Sequence, residues 1–192
     1  MTRMRCLWLF ALCLFLLLLG ACEKQKAPAP VAEEKVKTVE MQPARAVVEL
    51  KPTEGSSVVG TVTFTAENDG LRVVAVIEGL TPGLHGFHVH EHGDCSAPDA
   101  SSAGGHFNPH GTPHGGPEAA PGERHAGDLG NLEADANGTA RYERLAPLLS
   151  LAGADSILGK AVIVHAKADD LSTQPTGDSG PRLACGVIQQ AN

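Results

Sequence analysis

The chain has 192 residues, enough for one domain of ordinary size and too few for two substantial ones. Its formal charge is -7, and Arg3 and Arg5 are the only charges before Cys22, so the remainder carries -7 minus +2, or -9. That balance, with no Lys/Arg cluster, excludes a nucleic-acid binder, and with five Phe, one Trp and one Tyr any core must rely on Val, Leu, Ile and Ala.

Residues 1–21 read as a targeting segment. Two arginines precede a nearly unbroken apolar run over 7–19, too short to favour a membrane span. The run ends in Leu19-Gly20-Ala21-Cys22, which resembles the lipobox of bacterial lipoproteins. In that family cleavage precedes the cysteine and its sulfur is acylated. The resemblance therefore implies a lipid anchor on Cys22, and Glu23 rather than Asp after it points to the outer membrane. The expected location is the cell envelope, lipid-anchored and facing the periplasm. A plain secretory leader cut after Ala21, giving a soluble periplasmic protein, and an uncleaved anchor are the alternatives.

Residues 22–43, rich in Ala, Pro, Lys and Glu without a stable period, read as a flexible tether. The folded domain is then 44–192. Cys6 and Cys13 leave with the leader and Cys22 is consumed by lipid, so the domain holds Cys95 and Cys185 alone. In an oxidising compartment only one pairing is open to them, and a disulfide is expected. Two free thiols or metal ligation are the competing readings.

Strand signals follow in series. Apolar alternation over 46–50 stops at Pro52, and the run over 58–66 stops at the Asn68-Asp69-Gly70 turn. Further strands are expected over 71–77 and 84–90. From 93 to 130 the pattern gives way to Gly, Pro, His, Ser and Asp, a loop long enough to need an organising centre. Strands resume over 132–136 and 139–143 around Asn137-Gly138, then over 158–166 and 183–189. About eight short strands without a convincing helix predict an all-β fold, an eight-stranded antiparallel Greek-key sandwich or flattened barrel with long metal-binding loops.

Eight of the nine histidines fall between His85 and His125, and the ninth is His165. Imidazole binds borderline transition metals at neutral pH, so the clustering points to metal chemistry. His88 and His90, two apart on a strand, share a face, with Phe87 and Val89 turned to the core. His106, His114, His125, Asp128 and His165 supply ligands enough for two ions.

Four blocks together resemble the successive signatures of copper/zinc superoxide dismutase: Gly83-Leu84-His85-Gly86-Phe87-His88-Val89-His90-Glu91, Gly104-Gly105-His106-Phe107-Asn108-Pro109, His125-Ala126-Gly127-Asp128-Leu129-Gly130-Asn131 and Gly180-Pro181-Arg182-Leu183-Ala184-Cys185-Gly186-Val187-Ile188. The resemblance runs over about 44–190. It implies copper held by His88, His90, His106 and His165, and zinc held by His106, His114, His125 and Asp128, with His106 bridging the two through both ring nitrogens. Three imidazoles and a carboxylate also make an ordinary closed zinc site, which is structural in character. Asp169 is similar to the family's aspartate that accepts hydrogen bonds from one copper and one zinc histidine. Arg182 is similar to the arginine that attracts and orients superoxide, brought near copper by a Cys95–Cys185 tether.

The remaining histidines have plainer readings. His85 is expected to be buried and hydrogen-bonded, and His92 and His110 to be loop residues, although His110 lies where it could compete with His114 for zinc. The implied activity is dismutation of superoxide to dioxygen and hydrogen peroxide. A charge of -9 opposes an anionic substrate, so encounter depends on local focusing by Arg182 and the metals. The segment from His165 to Arg182 adds only Lys167 as a cation and is shorter than the electrostatic loop of eukaryotic members. The rivals are a periplasmic protein that buffers or delivers copper and zinc, and a structural relative with a decayed site. Monomer and homodimer are both compatible with the sequence.

Overall fold

Alternation of apolar and polar residues sets the strands, and their inward faces merge into one core. The structure is a computed structural model that describes residues 44–191, all within the unit Glu40–Asn192. The leader, Cys22 and the tether lie outside the described residues. The strands are β1 (Arg45–Pro52), β2 (Val59–Glu67), β3 (Gly70–Glu78), β4 (Gly83–His90), β5 (Asp128–Ala134), β6 (Ala140–Ala146), β7 (Ala161–His165), β8 (Arg182–Val187) and β9 (Gln189–Ala191). In β1, for instance, Ala46, Val48 and Leu50 are buried while their neighbours are exposed.

Every pairing of named strands is antiparallel. The order β2-β3-β6-β5-β4-β7-β8-β1, closed by a β1–β2 pairing, makes an eight-stranded barrel with Greek-key crossovers. This is the all-β fold expected from the sequence. β9 is an additional short strand on β1, and it continues the line of β8 past Ile188. That break arises because the backbone of Ile188 pairs instead with Gly159 and Lys160.

The core includes Phe64, Ile77, Phe87, Leu129, Leu132 and Ile188. Burying such side chains stabilises the fold by about 1.5–3 kcal/mol each. A second, small cluster of Ala100, Ala103, Ala161, Ile163 and Cys185 joins β7 and β8 to the loop after β4. β7 is therefore buried along its whole length, which explains its uninterrupted apolar sequence. The Cys95–Cys185 disulfide, with Cα atoms 5.8 Å apart, fastens the same loop. Closing about 90 residues adds about 2–4 kcal/mol.

Several strand boundaries shift by one to four residues from the sequence expectation, and two of the larger shifts have a visible cause. β5 begins at Asp128 rather than Leu132, because Asp128 pairs with His88 across a register shift. β7 begins at Ala161 rather than 158, since Lys160 closes a turn on Ile157.

Candidate metal centre

Three backbone hydrogen bonds assemble the site from separate stretches of chain. Val89 N donates to Gly127 O (3.0 Å), Gly127 N donates to Phe107 O (2.9 Å), and Phe107 N donates to Val89 O (2.8 Å). Each residue of this closed triangle is a neighbour of proposed ligands: His88 and His90, His106, and Asp128. A side chain at 127 has no room there, because a Cβ would lie 2.4 Å from Val89 O.

The result is two overlapping groups of buried side chains. His88, His90, His106 and His165 form one, and His106, His114, His125 and Asp128 the other; within each, the ligand atoms lie within 4.8 Å of one another. His106 belongs to both. Its Nδ1 is 2.8 Å from Asp128 Oδ1, while its Nε2 has no hydrogen-bond partner.

Hydrogen bonds at the far ring nitrogens select which nitrogen faces inward. His88 Nε2 donates to Asp169 Oδ2 (2.7 Å), His90 Nδ1 to the Gly104 carbonyl (2.9 Å) and His165 Nδ1 to the Gly180 carbonyl (3.1 Å). His88 Nδ1 is thereby left free, and the Nε2 atoms of His90 and His165 meet at 3.4 Å. In the other group His114 Nε2 donates to Asp169 Oδ1 (2.9 Å), leaving Nδ1 inward.

These residues fit metals by their own chemistry. His88 Nδ1, His106 Nε2, His114 Nδ1 and His125 Nδ1 are buried without any hydrogen-bond partner. Such orphaned groups cost about 1–3 kcal/mol each unless something takes their lone pairs. Around Asp128 Oδ1 the Nδ1 atoms of His106, His114 and His125 stand at 2.8, 3.1 and 3.3 Å. A tetrahedral zinc ion with bonds of about 2.0–2.1 Å separates its ligands by about 3.3 Å. Asp128 Oδ2 is occupied by the backbone N–H groups of His125 and Gly115, which aims Oδ1 at the histidines.

Burial, reinforced by positive neighbours, holds His90 and His165 well below the ordinary imidazole range. Burial also brings His106 down to about 4 against the opposing pull of Asp128. These rings are neutral at pH 7, as metal ligands must be. His114 goes the other way: burial opposes its charge, but the adjacent carboxylates of Asp128 and Asp169 outweigh that and raise it to about 9. Both carboxylates are held far below their usual range, the histidine contacts overcoming burial.

A family model described as copper/zinc superoxide dismutase (SODC) matches residues 58–188. The chain belongs to that family. A solved structure described as the clock protein EA4 is similar, with 43% identity and a TM-score of 0.71 over 79% of this chain and 97% of that one. In this superoxide dismutase family member, the two histidine groups fit copper and zinc.

Arg182 pairs with His165 across β7 and β8, and its guanidinium donates to the carbonyls of Ala100 (2.5 Å) and Gly104 (2.6 Å). Both acceptors lie on the disulfide-fastened loop. His85 is buried outside both groups, with Nδ1 2.8 Å from the His165 carbonyl and Nε2 2.9 Å from that of Thr81. His110 and His92 are exposed; His110 Nε2 lies 2.7 Å from Asp155 Oδ1, so it is not among the groups around Asp128.

Sequence reasoning missed several supporting residues. Asn131 exchanges two hydrogen bonds with the backbone of Asp169, at 2.7 and 2.9 Å. Arg124 is buried and donates to the carbonyls of His125 and Asp128. Tyr142 donates to Leu129 O, and Gln174 contacts the backbone of His114. Asn131 sits inside a motif block and could have been questioned; Gln174 and Arg124 carry no local signal.

Proposed function

We propose that this protein dismutes superoxide to dioxygen and hydrogen peroxide, with copper held by His88, His90, His106 and His165 and structural zinc by His106, His114, His125 and Asp128. Arg182 carries the reading. Its guanidinium is tied to the same Gly104 carbonyl that orients His90, so a fixed cation stands beside the copper group. A protein that only buffered or delivered the metals would need the ligands but no such cation.

Copper held by His88, His90, His106 and His165 would supply the one-electron redox chemistry that dismutation requires. The chain supplies the rest. Arg182 draws in and orients the anion, offsetting locally an acidic surface that repels it at long range. His106 Nε2 would carry one of the two protons that hydrogen peroxide requires, the other coming from solvent. Asp169 orients His88 and His114 together, coupling the two groups. Burial of His88 and His90 in the barrel wall keeps bulk water from the ligand nitrogens.

The similar solved structure is named for a clock protein, so fold and ligand set alone do not carry the activity. The test is a superoxide dismutation assay on copper- and zinc-loaded protein. Turnover is expected; an inactive, fully loaded protein overturns the proposal and leaves the buffering role.

The leader and Cys22 support a lipid-anchored protein of the cell envelope facing the periplasm. The Cys95–Cys185 disulfide agrees with an oxidising compartment.

A further inference from the structure

We infer that Gln174 is a positioning residue for the zinc site, gripping the main chain of His114 at both its N–H and its carbonyl and so setting how tightly the site retains its ion. The inference rests on the assignment of zinc to His106, His114, His125 and Asp128.

Most ligands in the two groups are set by backbone ladders. His88 and His90 lie on β4, Asp128 on β5 and His165 on β7, while His106 bridges to His90. His114 has no such support. Among the described residues, neither its N–H nor its carbonyl has a backbone partner. A buried main chain needs both groups satisfied. Gln174 supplies the two partners at once: Oε1 accepts from His114 N at 2.8 Å, and Nε2 donates to His114 O at 2.8 Å. Nε2 also donates to Ser172 O (3.2 Å), which fixes the amide's orientation.

The rest of the segment 166–181 is built round the same histidine. Asp169 Oδ1 accepts from His114 Nε2, and the backbone turn closes through Gly177 N to Thr173 O (2.7 Å) and Asp170 N to Gly177 O (2.9 Å). Gly177 has φ +68°, and a Cβ on it would lie 1.9 Å from Asp169 Oδ1 and 2.7 Å from His114 Nε2. Three polar atoms of one ligand are thus held by a single short stretch of chain. This segment, too short to carry a long steering loop, serves as a clamp on the zinc side.

The test compares the full-length protein with Gln174→Ala, Gln174→Glu and Asp178→Asn, each loaded with copper and zinc. Zinc release to a chelator is followed, and cobalt(II) in the zinc position reports ligand geometry through its visible absorption. Gln174→Ala is expected to release zinc about tenfold faster, as for the loss of other partners that orient metal ligands, with an altered cobalt spectrum and unchanged copper content. Gln174→Glu keeps the acceptor but loses the donor and falls between. Asp178→Asn, on the same segment and exposed, behaves as the parent protein. Parent-like zinc release and cobalt spectrum in Gln174→Ala overturn the inference, as does equal acceleration by Asp178→Asn. A parent protein that takes up copper but no zinc overturns the zinc assignment itself, and the inference with it.

Discussion

His90 and Arg182 share one acceptor: the Gly104 carbonyl receives His90 Nδ1–H at 2.9 Å and Arg182 Nη2–H at 2.6 Å. The bond that orients a proposed copper ligand and the bond that places the cation proposed to face the substrate therefore meet on one atom. A shift of the loop at Gly104 moves both.

Replacing Arg182 by alanine removes the cation and leaves the His90 bond in place. Both metals are expected to stay bound while kcat/KM for superoxide falls roughly tenfold or more, with weaker dependence on ionic strength. Arg182→Lys recovers little, because one ammonium does not reproduce the planar fork that reaches Ala100 and Gly104 together. Metal analysis beside stopped-flow kinetics checks this; loss of copper in step with activity would count against the role.

Zinc uptake should release a proton from His114. Its pKa of about 9 in the metal-free protein leaves it charged at pH 7.5, yet Nδ1 must face zinc and Nε2 already donates to Asp169. Calorimetry of zinc binding in buffers of different ionisation enthalpy should report about one proton released from this ring at pH 7.5, and less above pH 9.

The same groups are expected to give the metal-free domain a stability maximum near neutrality. His114, raised from 6.5 to about 9, contributes stability that is complete below pH 6.5 and is lost as pH rises through 9. His88, His90, His106 and His165 are lowered, so the stability tied to their neutral forms is complete above 6.5 and is lost as pH falls, through about 4 for His106. Asp128 and Asp169, also lowered, add a loss in stronger acid. Urea midpoints of the metal-free protein from pH 4 to 9.5 should peak between 6 and 7.5, as an order-of-magnitude window from these shifts; a profile rising steadily to pH 9.5 would contradict the His114 pairing.

How far the sequence reaches depends on the range of the interaction. Alternation such as that of Ala46, Val48 and Leu50 is local, so the strands and the all-β class are legible. Most of the proposed ligand residues are legible because they sit in short ordered blocks of uncommon composition, whereas His114 and His165 lie outside those blocks and rest on the resemblance as a whole. The onset of β5 at Asp128 is not, since Asp and a Gly130 at φ +83° carry weak strand propensity and the pairing is decided by His88 on another strand. Gln174 is not legible either: its partner lies 60 positions away and is a main chain, which leaves no mark on side-chain pattern.

The disulfide should matter to function as well as stability. Cys95 and Ala100 pack on β7 and β8 in the small outer cluster, and the loop between them and Gly104 carries both acceptors of Arg182. Cys185→Ser is expected to lower unfolding free energy by about 2–4 kcal/mol and kcat/KM by several-fold through a loosened Arg182. Urea unfolding and superoxide kinetics on the oxidised parent and the variant separate the two effects.

The triangle of Val89, Phe107 and Gly127 offers the most severe single change. Gly127→Ala puts a methyl carbon 2.4 Å from Val89 O and 3.1 Å from Phe107 N, both backbone atoms that no side-chain rotation can move aside. Overpacking of this kind costs about 1–3 kcal/mol, and here the strain falls between His125 and Asp128. The variant should therefore lose zinc affinity more steeply than global stability. Parallel measurement of thermal midpoint and zinc retention decides it: a variant that is less stable yet retains zinc like the parent would mean that the ligand turn adjusts independently of β4.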